Sequence, residues 1–143
     1  MDRAKKAVDN HKKGYNCAQA VVCAFSDKTN FSEDDLFRLS EAFGGGMGGT
    51  QGVCGAVSAM VFLAGLKTSI GIESLPETNK LKSYAFAKEM IEEFENKNTT
   101  IMCSELKGEE IRSCDGCIED AVKILEEKLA RFADDEDEIS WVN

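Results

Sequence analysis

Six cysteines stand at positions 17, 23, 54, 103, 114 and 117 of this 143-residue chain. Thiolates attack disulfides, pair with one another and bind soft metals, so their spacing and surroundings decide which chemistry is open to them. Cys114 and Cys117 form the stretch CDGC directly ahead of an amphipathic segment. A spacing of three brings both sulfurs to one helix face, where they can close a reversible disulfide or chelate a metal. The second CxxC that a zinc ribbon requires is missing, and no strand–helix–strand pattern surrounds this one. Cys54 follows FGGGMGGTQGV, in which five of the six residues 44–49 are glycine. A phosphate-binding loop would lie between strand and helix and end in Lys-Ser or Lys-Thr. Here the preceding segment reads as helical and no lysine occurs between 39 and 66. Cys54 is expected in the first turn of a helix, where unpaired N–H groups and the positive end of the dipole lower a thiol pKa. Cys17, in GYNCAQAVVCAF, occupies the same kind of position. Cys54 and Cys17 are therefore the candidate nucleophiles. Gly44, Gly45, Gly46, Gly48 and Gly49, with Gly55, are the backbone positions that would surround a group bound at Cys54. The loop glycines allow a sharp entry to the helix and keep side chains away from the sulfur. Cys23 lies about 240° around the helix from Cys17 and is read as core. His11, set among lysines, is expected to face solvent.

Helices must position these thiols, because the sequence lacks the sustained period-two alternation of strands. Residues 2–13 carry Ala4, Ala7 and Val8 among charges. Asn16 can cap a second helix reaching about Asp27, and Ser32 with Asp35 resembles a loose capping box opening a third, with Leu36, Leu39 and Phe43 inward. A central helix is expected over about 52–66. Its small residues Gly52, Gly55, Ala56 and Ala59 share a face that lets another backbone approach, either a neighbouring helix or a partner subunit in a homodimer. Pro76 suits the first turn of a long helix ending near Asn96, with Leu81, Tyr84, Met90, Ile91 and Phe94 among its core positions. A short helix at 103–107 and a last one from Cys114 or Cys117 to about Phe132 complete the pattern. The expected fold is all-α: one compact bundle of about six helices spanning residues 1–143 as a single domain, with a Gly-rich loop before the central helix and an acidic tail from about 133.

Composition narrows the function. The 26 acidic against 17 basic residues give a net charge of −9, and five of those acids sit in Asp134–Glu138. This balance argues against nucleic-acid binding. The apolar run 52–66 has 15 residues, short of the roughly 20 needed to span a bilayer. The charged N-terminus lacks a secretory pattern, so a cytoplasmic protein with reduced thiols is expected. There, several cysteines point to metal or redox chemistry, although free cysteines also serve as small buried hydrophobes. Neither a Ser/His/Asp set nor a pair of catalytic carboxylates stands out, so hydrolysis has no support.

The combination of GYNCAQAV at 14–21, FGGGMGG at 43–49, GVCGAVSAMVFLAGL at 52–66, IMCSEL at 101–106 and CDGCIEDAVKIL at 114–125 resembles the C_GCAxxG_C_C family, described as redox-active. The resemblance covers nearly the whole chain. It implies that Cys17, Cys54, Cys103 and Cys114 are the four cysteines that characterise the family. Cys117 then occupies a position usually filled by a hydrophobic residue, and Ala59 replaces the last glycine of the family motif. Four thiols of this kind suit an iron–sulfur cluster used for electron transfer, or a zinc ion. Direct thiol–disulfide exchange through Cys54 or Cys17 is the alternative, with a redox partner protein or a small thiol as counterpart. A binding module with core cysteines is the third reading.

Overall fold

The computed structural model describes the backbone of residues 1–133 and the side chains of residues 1–130; the acidic tail lies outside the described residues. Among the described residues seven α-helices follow in order: α1 (Arg3–Lys12), α2 (Cys17–Cys23), α3 (Glu33–Ser40), α4 (Gly55–Thr68), α5 (Lys80–Asn98), α6 (Cys103–Gly108) and α7 (Cys114–Ala133). The all-α expectation holds among the described residues. Their one β-type feature is an isolated antiparallel bridge between Val53 and Met102.

Local chemistry sets several of the ends. Asn16 and Gln19 form a reciprocal capping box at α2, and the Ser32 hydroxyl accepts the Asp35 N–H at α3. The second helix is shorter than expected, because the chain turns after Cys23 into a 3-10 turn at Ser26–Lys28. The fifth begins at Lys80 rather than at Pro76. A 3-10 turn at Ile72–Ser74 and a cis Leu75–Pro76 bond occupy the preceding segment, and the Asn79 side-chain amide reaches back to the Thr68 carbonyl. Leu39, Leu81 and Tyr84, expected inward, are more than half exposed. Helical periodicity marks a face, but it does not say where a neighbouring helix stops covering that face.

α4 lies at the centre, packed against α2, α5 and α7, while α1 packs on α2 and α7 and α3 on α2. Apolar nearly all round, α4 buries Ala56, Val57, Ala59, Met60, Leu63 and Ala64. Gly55 sets the distance to α2: a Cβ there would stand 3.1 Å from the Ala18 nitrogen and 3.3 Å from the Cys17 Cβ. The small residue thus brings the thiols of two helices to one place.

Arg3 fastens the N-terminal helix. Its buried guanidinium donates to the Ala24 carbonyl at 2.6 Å and to both Asp27 carboxylate oxygens, and lies 4.8 Å from the centre of the Phe25 ring. This hydrogen-bonded guanidinium holds the Asp27 carboxyl below the usual range. A depressed carboxyl stabilises the fold above the unfolded value near 3.8, and that contribution is lost as pH falls through the folded value. Arg3→Ala should cost about 2–3 kcal/mol in urea denaturation at neutral pH, chiefly through the orphaned Ala24 carbonyl and the lost charge-assisted bonds. The loss should shrink in acid, where Asp27 is protonated in both proteins.

Candidate functional site

Each of the four cysteines implied by the resemblance stands at a helix start. Cys17, Cys103 and Cys114 are the first residues of α2, α6 and α7, and Cys54 is the N-cap of α4. Two loops hold Cys54 and Cys103 side by side. The Cys54 N–H donates to the Ile101 carbonyl at 2.7 Å and the Cys103 N–H to the Gly52 carbonyl at 2.6 Å, the two strands of backbone meeting at Val53 and Met102.

The glycine loop supports this clasp with an unusual backbone. Gly45, Gly46, Met47, Gly48 and Gly49 all have positive φ, between 62° and 77°, the left-handed region that favours glycine. Of these glycines Gly46 is the tightest. A Cβ there would meet the Gly52 nitrogen at 2.7 Å and the Cys103 Cβ at 2.8 Å.

Five thiols border one cavity of about 20 Å³: Cys17, Cys54, Cys103, Cys114 and Cys117, together with Gly45, Gly46, Gly55, Leu106, Lys107 and Arg112. That space suits about one water molecule or one ion. Gly44, Gly48 and Gly49 do not line it. Gly44 instead makes room for the Asn16 side chain, whose amide donates to the Glu41 carbonyl at 2.9 Å. Cys23 lies away from the cavity, fully buried, with its thiol 3.7 Å from the Glu33 carbonyl. Its reading as a core residue agrees with this position, and burial pushes its pKa up to about 12.

The electrostatics separate the thiols. Cys54 is held at about 7, first because the Cys117 thiol donates to its sulfur, then because the Ala56 and Val57 N–H groups do so against the cost of burial. The sequence predicted this direction from the helix start alone, whereas the larger cause is another cysteine. Cys117 is pushed upward by the same hydrogen bond and by burial. Cys17 departs from expectation: its pKa rises to about 12 because burial, and then the charges of Cys114 and Cys54, outweigh its place at a helix start. Burial also raises Cys103. Lys107 points the other way, its ammonium hydrogen-bonded to Cys114 and itself held above the ordinary lysine value by the thiols around it. Cys54, although only 5% exposed, is therefore the most acidic of the shifted thiols.

Arg112 closes the cavity beside α7. It forms a two-pronged pair with Asp120, at 3.1 and 3.2 Å, and lies over Gly116, where a Cβ would stand 2.4 Å from its Nε. The glycine within CDGC is thus explained by the guanidinium above it. Sequence reasoning missed Cys117 as part of the cluster, although the CxxC spacing that brings it to the Cys114 face was visible. It also missed His11. This ring is half-buried, with Nδ1 2.7 Å from the Asp115 carboxylate, because the packing of α1 on α7 brings it there. Among the described residues, the His/Cys/Asp/Glu group whose ligand atoms all lie within 4.8 Å of one another is His11, Cys17 and Cys114, a set able to hold a metal ion. The four-cysteine set shares the cavity but does not meet that spacing.

Fold and site together define a helical protein organised around a cluster of thiols. The family model described as "Putative redox-active protein (C_GCAxxG_C_C)" matches residues 15–128, and the chain belongs to that family. Neither the curated proteins nor the solved structures gave a match. No helix among the described residues is long and apolar enough to cross a membrane.

Proposed function

We propose that this protein is a thiol–disulfide redox protein in which Cys54 is the reacting thiolate and Cys117 the resolving thiol. What supports the reading is the place of the Cys54 sulfur at the start of α4 beside the Cys117 thiol, a setting that lowers its pKa to about 7. An attacking thiol works best when its pKa is close to ambient pH. Cys54 attacks one sulfur of a substrate disulfide, forming a mixed disulfide and releasing the other sulfur as a thiolate. With the Cys54 charge consumed, the main cause of the raised Cys117 pKa is gone. Cys117 then gives its proton to the substrate thiolate released in the first step and attacks the Cys54 sulfur. The Cys54–Cys117 disulfide forms, the second substrate thiolate leaves, and two electrons have passed to the substrate. Lys107 supplies the positive charge that favours thiolates at this point. A partner protein with a dithiol, or a small thiol, restores the reduced pair in a reducing compartment such as the cytoplasm.

A four-cysteine iron–sulfur or zinc centre is the second reading, and the shared cavity of the implied cysteines supports it. Its size favours a single ion over a cluster of several irons and sulfides. Mild oxidation of the reduced protein, followed by thiol counting and peptide mapping, tests the first reading. Two thiols should disappear together as a Cys54–Cys117 peptide. Oxidation of Cys54→Ser that matches the wild type in rate and product would sink the assignment.

A further inference from the structure

Beside the proposed Cys54–Cys117 pair, and independent of it, we propose a zinc-class metal site formed by one ring nitrogen of His11 and the sulfurs of Cys17 and Cys114, with Asp115 orienting the imidazole. Two neighbouring helices and one distant in sequence supply the ligands: α1, the start of α2 and the start of α7. Their ligand atoms already lie within 4.8 Å of one another. Sulfurs about 2.3 Å from a tetrahedral zinc stand about 3.8 Å apart, so closure asks for side-chain movements of about 1 Å.

The Asp115 contact is the second observation. Its carboxylate sits 2.7 Å from His11 Nδ1 and, as an acceptor, favours the tautomer with the N–H on that atom, which leaves the lone pair on Nε2. A carboxylate behind the histidine fixes the tautomer and the ring orientation, as the outer partner of a metal-binding imidazole does. Nothing in helix formation requires this pairing of residues 104 positions apart. The site also has an entry path: His11 and Asp115 have side-chain exposures of 29% and 47%. Two thiolates and an imidazole are a donor set for zinc or another borderline divalent ion. Three protein ligands leave the fourth position open to water or a small ligand. Binding replaces the two thiol protons with one divalent cation and releases both protons to solvent.

The test is titration of reduced, metal-free, full-length protein with Co²⁺ alone under anaerobic conditions. Thiolate-to-cobalt charge-transfer absorbance should saturate at one ion per chain, zinc should displace the cobalt, and about two protons should be released per ion. Asp115→Asn should weaken binding by about 10–100-fold, and His11→Ala by more. Circular dichroism should show both variants folded, since each changed side chain is only partly buried. Cys54→Ser should bind Co²⁺ as the wild type does, so failure of the thiol-exchange reading and failure of this site are seen separately. Absence of charge-transfer absorbance, unchanged affinity in His11→Ala, or loss of binding in Cys54→Ser would each overturn the proposal.

Discussion

Replacing Cys117 with alanine should move the ionisation of Cys54 upward from about 7, toward the ordinary thiol value of 9.0. The Cys117 thiol is the largest contributor to the depressed value, and the Ala56 and Val57 N–H groups remain to limit the rise. The thiolate absorbance in the ultraviolet follows the charge directly, without requiring a reagent to reach a buried sulfur. The wild type should show one thiolate step centred near pH 7, absent in Cys54→Ser and displaced upward in Cys117→Ala. Each unit of displacement lowers the thiolate fraction near neutral pH by up to about tenfold, and disulfide attack should slow accordingly. The sign for stability is also fixed. A thiol depressed in the folded state stabilises the protein above the unfolded value near 9 and loses that contribution as pH falls through about 7. A wild-type titration with no thiolate step below the ordinary range would remove Cys54 from the role of nucleophile.

Gly46→Ala should be among the most damaging single-methyl additions to the chain. Alanine at φ 72° pays about 1–2 kcal/mol for the left-handed backbone. The added carbon would also lie 2.7 Å from the Gly52 nitrogen and 2.8 Å from the Cys103 Cβ, and relieving such overlap costs about 1–3 kcal/mol more. A total of about 2–5 kcal/mol is expected in urea unfolding. Gly48→Ala is the control: its φ is 62°, but the nearest atom to its Cβ is 3.9 Å away. It should show the backbone cost alone, about 1–2 kcal/mol. Equal losses in the two variants would mean that the contact with the Cys103 loop adds nothing.

What the sequence conveyed depended on whether the physics was local. The caps at Asn16 and Ser32 and the burial of Cys23 follow from neighbours within one helix. The convergence of helix starts on one cavity does not, because it depends on how α2, α4, α6 and α7 pack. For the same reason the Cys17 pKa was misread. A helix start favours a thiolate by a fixed local effect, whereas burial and neighbouring sulfurs oppose it by an amount set only in the folded molecule. His11 illustrates the point from the other side. Its lysine neighbours Lys12 and Lys13 suggested solvent, yet the residue that defines its environment is Asp115. The glycine-rich loop was legible as backbone freedom next to Cys54. Its contact with Cys103 was not, since the partner lies 57 positions beyond Gly46, from 46 to 103.

The bridge between Val53 and Met102 has a consequence for the newly made chain. It joins positions 49 residues apart, from 53 to 102, and Cys114 and Cys117 lie later still. During synthesis Cys17 and Cys54 emerge well before the partners that will surround them. Loop-closure entropy further delays so distant a contact relative to the local helices. The thiol cavity is therefore among the last features to assemble, and until then its early cysteines are open to oxidation and mispairing. Cys17 and Cys54 gain their thiol neighbours only once residues 102–117 have joined them.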